Sequence, residues 1–373
     1  MLLTNCIYGI YSTLTNKPIV TPNDKPIKIS KPSSHATEII IEADHALHAH
    51  RIELNARAGA VTRKGHALRA DNGEWVIALE GEKVRKVSKE AVPLELVPYL
   101  AAKDESDDFR KKVLLAGYGF AVTDMHLDLR GRRGRAILDT PWGPIETDMH
   151  MAKDGELLRA DTGSTGSHRV DAARLDEGFS PPELPGSAAI PVRGKGKVLL
   201  VQNTKRQPPP ALPGQSVALR KQGWRVEFDR IRTKLDPRIV RLSREVDQLL
   251  HDAHDAPGAG ADDALSLGRG DCTAHATLFA DMAAQQGFET RLVTGYRIDD
   301  DTMVRHRWVT VKQGNTWIPV DPTFNEAPAA EGHHLALAVH GDSTAEIALV
   351  DEAVFRGFSK VRASWTGASL ATR

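Results

Sequence analysis

Cysteine is nearly absent from this sequence. The two that occur, Cys6 and Cys272, stand far apart, and so sparse a pair excludes the disulfide framework of a small secreted domain. Neither sign of charge is in excess. Forty-nine Lys and Arg balance 49 Asp and Glu, so no net field steers the chain toward nucleic acid or an anionic membrane. The run Arg130-Gly131-Arg132-Arg133-Gly134-Arg135 is a local exception. Its glycines read as a solvated hairpin turn rather than a phosphate-binding patch. Long apolar runs are missing too. No stretch approaches the roughly 18 residues of a membrane helix, and no transmembrane segment is expected. Met1 to Thr15 has neither a basic lead nor a long enough apolar run for a signal peptide. A cytoplasmic protein is the expectation as the sequence stands, and an exported one if the amino terminus is truncated. The apolar fraction of 41% is spread along the chain, enough for sizeable cores and for more than one domain.

The punctuation of the chain divides it. Residues 1–35 are rich in Lys, Pro, Asn, Ser and Thr and read as a loosely ordered lead-in. From 37 to 176, short runs of β-branched and aromatic residues alternate with Gly and Asn, as in an antiparallel meander. Within them Val92 to Ala102 has apolar residues at helical spacing. This part is expected to be a β-rich domain with no assignable role. Residues 177–192 form a linker, marked by Ser180-Pro181-Pro182-Glu183-Leu184-Pro185-Gly186. Residues 193–236 carry strand-like runs, either a short β-module or a prelude to the last domain. That domain spans 237–373 and opens on a helical stripe of Ile239, Val240, Leu242, Val246, Leu249 and Leu250.

The most informative segment starts at Gly270-Asp271-Cys272-Thr273-Ala274-His275-Ala276. Asp271 is a natural N-cap, Leu278, Phe279, Met282 and Ala283 form an apolar face, and Gly287 supplies a left-handed stop. Cys272 therefore falls in the first turn, where unpaired N–H groups and the helix dipole favour a thiolate. The same N–H groups suit a developing oxyanion. The Asp271 carboxylate opposes the thiolate, so a basic partner is required. Strands follow at 289–296 and 304–311, with His306 and Trp308 on one face of the second by the period of two. Trp317-Ile318-Pro319-Val320 makes an edge strand and ends at Asp321-Pro322. A thiol, an imidazole that takes and returns its proton, and a carboxylate that fixes the imidazole are the parts of a nucleophilic acyl-transfer site.

These blocks, in this order, resemble the core of the transglutaminase-like superfamily: Gly-Asp-Cys-Thr-x-His-Ala, Gly-Phe-Glu-Thr-Arg-Leu-Val-Thr-Gly-Tyr, His-Arg-Trp-Val-Thr-Val and Trp-Ile-Pro-Val-Asp-Pro-Thr-Phe. The resemblance covers about residues 237–340. It implies an α+β, papain-like fold, with a cysteine helix on an antiparallel sheet, preceded here by the β-rich domain. It implies catalytic roles for Cys272 as nucleophile, His306 as base and acid, and Asp321 as orienter. Two residues depart from bacterial relatives. Ala274 stands where Glu is frequent, and Arg307 where Ala is frequent, and both are expected to reshape the substrate groove. Trp224 is the nearest tryptophan before the cysteine, so no side chain is assigned to the oxyanion site.

His275, with His306 and the pair His333-His334, raises a metal alternative. A structural zinc site needs four ligands and no second cysteine is near. No metal and no cofactor is therefore expected, and His275 reads as a hydrogen-bonded packing residue. His45, His48 and His50 read as residues of a half-exposed strand. The expected chemistry is attack on a protein or peptide amide through a thioester, with hydrolysis favoured over cross-linking. The rival reading is a binding or scaffold protein with a relic triad. Substrate identity and oligomeric state stay open.

Overall fold

The structure is a computed structural model. It describes residues 35–366 apart from 45, 59, 105–107, 154, 163–164, 169–188, 203, 205–211, 213, 229–230, 254–259, 330–331, 356–357 and 359–360. The lead-in up to residue 34, Cys6, His45 and most of the linker lie outside the described residues. Chain contacts divide the protein into two units, one within Thr4–Leu184 and one within Pro185–Arg373.

The first unit is built from sequence-adjacent strands, antiparallel except for the short parallel pair of Val92–Pro93 with Asp108–Leu115. A five-stranded meander runs β1 (His35–Ala43), β2 (Ala49–Ala58), β3 (Val61–Arg69), β4 (Trp75–Leu79) and β5 (Arg85–Val87). His48 precedes β2 and pairs with Asp44 at 3.0 Å, while His50 lies within the strand. The expected helix at 92–102 starts late. Val92–Pro93 is a short strand (β6), Leu94–Leu96 a 3-10 turn, and the α-helix α1 spans Val97–Asp104. Pro98 fits there because the first turn needs no intrahelical N–H. A seven-stranded sheet then joins β6 to β7 (Asp108–Leu115), β8 (Ala121–Arg130), β9 (Arg133–Asp139), β10 (Ile145–Met151), β11 (Leu157–Thr162) and β12 (Thr165–His168). The arginine-rich run makes the tight turn from β8 to β9, with Gly131 at φ +65°. Strict alternation drives these strands: in β8 every second residue is buried and those between face outward. Trp75, Ile52, Ile77, Leu114 and Phe120 form a shared apolar core, and Trp75 satisfies its buried indole N–H on Ala91 O at 2.8 Å.

The second unit wraps helices onto one nine-stranded sheet. Its strands are β13 (Ile190–Arg193), β14 (Val198–Gln202), β15 (Gln215–Arg220) and β16 (Gly223–Phe228), then, after helix α2 (Pro237–Leu249), a two-stranded ladder, β17 (His251–Asp252) with β18 (Arg269–Gly270), around helix α3 (Ala261–Leu267). Helix α4 (Cys272–Gln285) follows, then β19 (Thr290–Asp299), β20 (Thr302–Gln313), β21 (Thr316–Val320), β22 (His334–His340), helix α5 (Thr344–Phe355) and β23 (Arg362–Thr366). The sheet order is β15-β16-β14-β23-β13-β20-β19-β22, with β21 on β20. The strands of 193–236 thus belong to the same sheet as the candidate catalytic strands. Gln215 ties them further, bonding both the N–H and the C=O of Ala336 at 2.8 and 3.2 Å.

One feature of this sheet positions the site. On the edge of β20 away from β19, β13 pairs only with Thr302 and Met303, and β21 pairs only with 309–313. Between them, residues 304–308 meet no strand on that side among the described residues. Backbone groups there are left for other partners.

Candidate active site

The cysteine helix begins as its residues dictate. Asp271 caps it, with Oδ1 accepting from the N–H groups of Thr273 at 2.9 Å and Ala274 at 3.2 Å. Gly287, at φ +82°, follows its end. The first turns are buried almost all round, from Thr273 to Ala280, while Cys272 itself keeps part of its surface open. The backbone N–H of Arg307, in the stretch of β20 that meets no strand on its other edge among the described residues, is near enough to the sulfur to favour its charged form. The thiol therefore meets the histidine strand one residue after His306.

His306 is held on several sides. Its Nε2 lies 2.7 Å from Asp321 Oδ2. An ionised carboxylate only accepts, so neutral His306 carries its proton on Nε2 and leaves Nδ1 as the basic nitrogen. Trp308 stacks on it at 6.0 Å and 16°, as the shared strand face requires. Asp321 is fully buried just after β21. Reciprocal backbone bonds between Asp321 and Glu326, at 2.8 and 2.9 Å, close the loop behind it. That loop turns through Asn325 at φ +51° and presents Phe324, 46% exposed, 5.6 Å from the His306 ring.

Two partners of Asp321 escaped sequence reasoning in this role. His334 Nε2 reaches the same Oδ2 at 2.7 Å, and Arg297 Nη1 approaches it at 3.4 Å while binding Asp299 and Glu326. His334 had been legible only as half of a histidine pair. The signal for Arg297 was a charge flanked by Tyr296 and Ile298 within the strand. Burial alone would push the Asp321 carboxyl up. His306 and His334 outweigh it and hold the group well below the usual carboxylate range.

The thiol behaves otherwise than its helix position implies. Burial first, then the adjacent Asp271 charge, push Cys272 up to about 12, against the charge and N–H of Arg307. Two of the first-turn amides that would favour a thiolate are occupied by the Asp271 cap. Asp271 is itself pushed up to about 6, mainly by burial. The balance favours the protonated thiol, in keeping with the expectation that Asp271 opposes the thiolate and that a basic partner is required.

His306, Asp321 and His334 place one ligand atom each within 4.8 Å of one another, a set that could hold a metal ion. Both imidazole contacts have hydrogen-bond length, and the Arg297 guanidinium occupies the same neighbourhood, so the donor set fits a proton network better than a cation. His275 takes no part: it is buried, with Nδ1 2.9 Å from Asp271 O. Ala274 and Arg307, expected to reshape a substrate groove, are both buried, Ala274 completely and Arg307 to 4% exposure. They act on the helix and strand behind the site.

Residues 238–322 match the model of the transglutaminase-like superfamily. The carboxy-terminal unit thus carries a transglutaminase-like core of α+β class, with α4 and the antiparallel strands β19–β21 inside or bordering the match. Among solved structures, one described as a "putative cysteine protease" from Cytophaga hutchinsonii aligns over 48% of this chain and 83% of its own, at 13% identity and a TM-score of 0.24. So low a score adds nothing to the assignment. No curated protein matches the chain. Among the described residues no helix is long and apolar enough to cross a membrane.

Proposed function

We propose that this protein is a cysteine-nucleophile acyl-transfer enzyme acting on a protein or peptide amide, with Cys272, His306 and Asp321 as its catalytic residues. The observation that carries the reading is the 2.7 Å contact of His306 Nε2 with a buried, charged Asp321, on the strand that meets the Cys272 sulfur at the next residue. Cys272 starts as a thiol. His306 Nδ1 removes its proton as the sulfur attacks the amide carbonyl, and Asp321 stabilises the imidazolium that forms. The imidazolium then protonates the leaving amine, which departs and leaves a thioester on Cys272. Water, deprotonated by the same nitrogen, releases the acid and restores the thiol. A second amine in place of water would give a cross-link. Because the cap occupies the amides of Thr273 and Ala274, the N–H of Cys272 itself is the first-turn donor best suited to the oxyanion.

Hydrolysis is favoured over transamidation by resemblance to bacterial hydrolases of this core. The test is covalent trapping. A panel of peptide electrophiles is incubated with the full chain, and the labelled residue is read by mass spectrometry. Wild type is expected to label at Cys272, and His306→Ala to label far more slowly. Equal labelling of the two would return the protein to the binding or scaffold reading. Product masses from an amide substrate, with and without an added primary amine, separate hydrolysis from transamidation.

A further inference from the structure

Arg305 and Arg307 flank His306 on β20, and both reach one carboxylate on α5. Asp351 takes Arg307 Nη2 at 2.5 Å on Oδ1 and Arg305 Nη2 at 3.2 Å on Oδ2. Arg307 goes further. Its Nη1 donates to Thr273 Oγ1 at 2.7 Å, in the first turn of the cysteine helix. Its Nε and Nη2 donate to Thr294 Oγ1 on β19 at 3.1 and 3.0 Å. Thr294, accepting twice, gives its own proton to His340 Nε2 at 2.9 Å, and His340 Nδ1 donates to Gly341 O at 2.6 Å. That pattern makes His340 neutral, and burial together with the Arg307 charge holds it so. Each of the three guanidinium nitrogens thereby has an acceptor, at a residue that is 4% exposed. A buried charge is costly even when paired. Here the charge and the backbone N–H of the same residue both favour the Cys272 thiolate.

We propose that Arg307 is the positioning residue of the thiol: clamped by Asp351, it ties the first turn of the cysteine helix to the histidine strand and supplies positive charge that offsets Asp271 as the thiolate forms. The assignment rests on Cys272 as the nucleophile. The titratable groups around it are Asp271 at the cap of α4 and Cys272 in its first turn, Arg305 and His306 on β20, His340 on β22, and Asp351 on α5, which also carries the buried Glu352. A clamp with no electrostatic role would respond alike to loss of either end. An electrostatic one responds with opposite signs, because Arg307 favours the thiolate and Asp351 counters Arg307.

The test is the rate of iodoacetamide alkylation of Cys272 at pH 8 in the full chain, resolved by peptide mass spectrometry, for Arg307→Gln and Asp351→Asn. Only the thiolate reacts. Arg307→Gln is expected to slow the reaction about ten-fold, the effect of losing a nearby opposite charge, and Asp351→Asn to speed it several-fold. Changes of the same sign, or none, would overturn the proposal. Should Arg307→Gln not fold, the near-isosteric Asp351→Asn decides alone: its rate–pH curve moves to lower pH, and an unmoved or raised curve overturns the assignment. Alkylation needs no substrate. Loss of the acyl-transfer reading through failed trapping would therefore stand apart from the outcome here.

Discussion

His334 reaches Asp321 Oδ2 through Nε2 at 2.7 Å, the same oxygen and the same distance at which His306 is held. One buried carboxylate thus anchors two imidazoles, and only one of them adjoins the thiol strand contact. His334 sits edge-on to Trp308 at 5.0 Å, which in turn stacks on His306. The second imidazole holds the carboxylate in the position from which it orients the first.

His334→Leu, which has no donor for Asp321, should therefore impair catalysis without removing the base. A hydrogen bond to a charged group contributes about 1.5–3 kcal/mol, so kcat/KM on a peptide amide is expected to fall roughly ten- to hundred-fold. Trapping of Cys272 by an electrophile should slow by a similar factor. An unchanged rate would reduce His334 to packing.

Asp321→Asn should leave a residual rate, lower by roughly 10²- to 10⁴-fold, because it removes charge and tautomer control while the thiol and imidazole remain. Its stability effect has a definite sign. The folded Asp321 titrates below its unfolded value, so its contribution is full above about pH 4 and fades as the pH falls further. Thermal unfolding should show the variant less stable than wild type at pH 7, with the gap narrowing toward pH 3. A gap that widens in acid contradicts the network.

Asp271→Asn separates capping from charge. Asparagine caps a helix about as well as aspartate, yet removes the second cause that raises the Cys272 thiol. Alkylation at pH 8 should quicken several-fold. Asp271 is pushed up to about 6 when folded, so its ionisation penalises the native state above that pH and not near pH 4. The variant should melt higher than wild type at pH 8, and the advantage should vanish at pH 4. A variant less stable at pH 8 would mean that the charge itself supports the cap.

Gly270→Ala tests the approach of β18 to α4. A Cβ at position 270 would lie 2.2 Å from the Ala274 Cβ, so the helix start must shift. A destabilisation of about 1–3 kcal/mol is expected, with slower trapping at Cys272 as the sulfur moves off the Arg307 N–H. Urea unfolding measures the first and peptide-electrophile labelling the second. A neutral variant would show that the first turn has room to give.

Local rules were enough for much of this protein. The cap at Asp271, the helix from Cys272, the stop at Gly287, the shared face of His306 and Trp308, and the edge strand before Asp321 follow from neighbours a few residues apart, and so did the meander of the first unit. The partners of the charged groups did not follow. Arg307 meets Thr273, Thr294 and Asp351 across three other elements, and His334 and Arg297 converge on Asp321 from β22 and β19. No period or spacing encodes such meetings, because they depend on which strands lie side by side. The state of the thiol was likewise decided by tertiary structure. By sequence the helix start favours a thiolate and the adjacent Asp271 opposes it, and the burial that packing brings is the largest cause that raises the thiol. Sequence carried the order of the groups proposed to react, since those are local motifs. Only the packed fold decided their protonation and support, since both depend on the dielectric and the charges that distant segments bring.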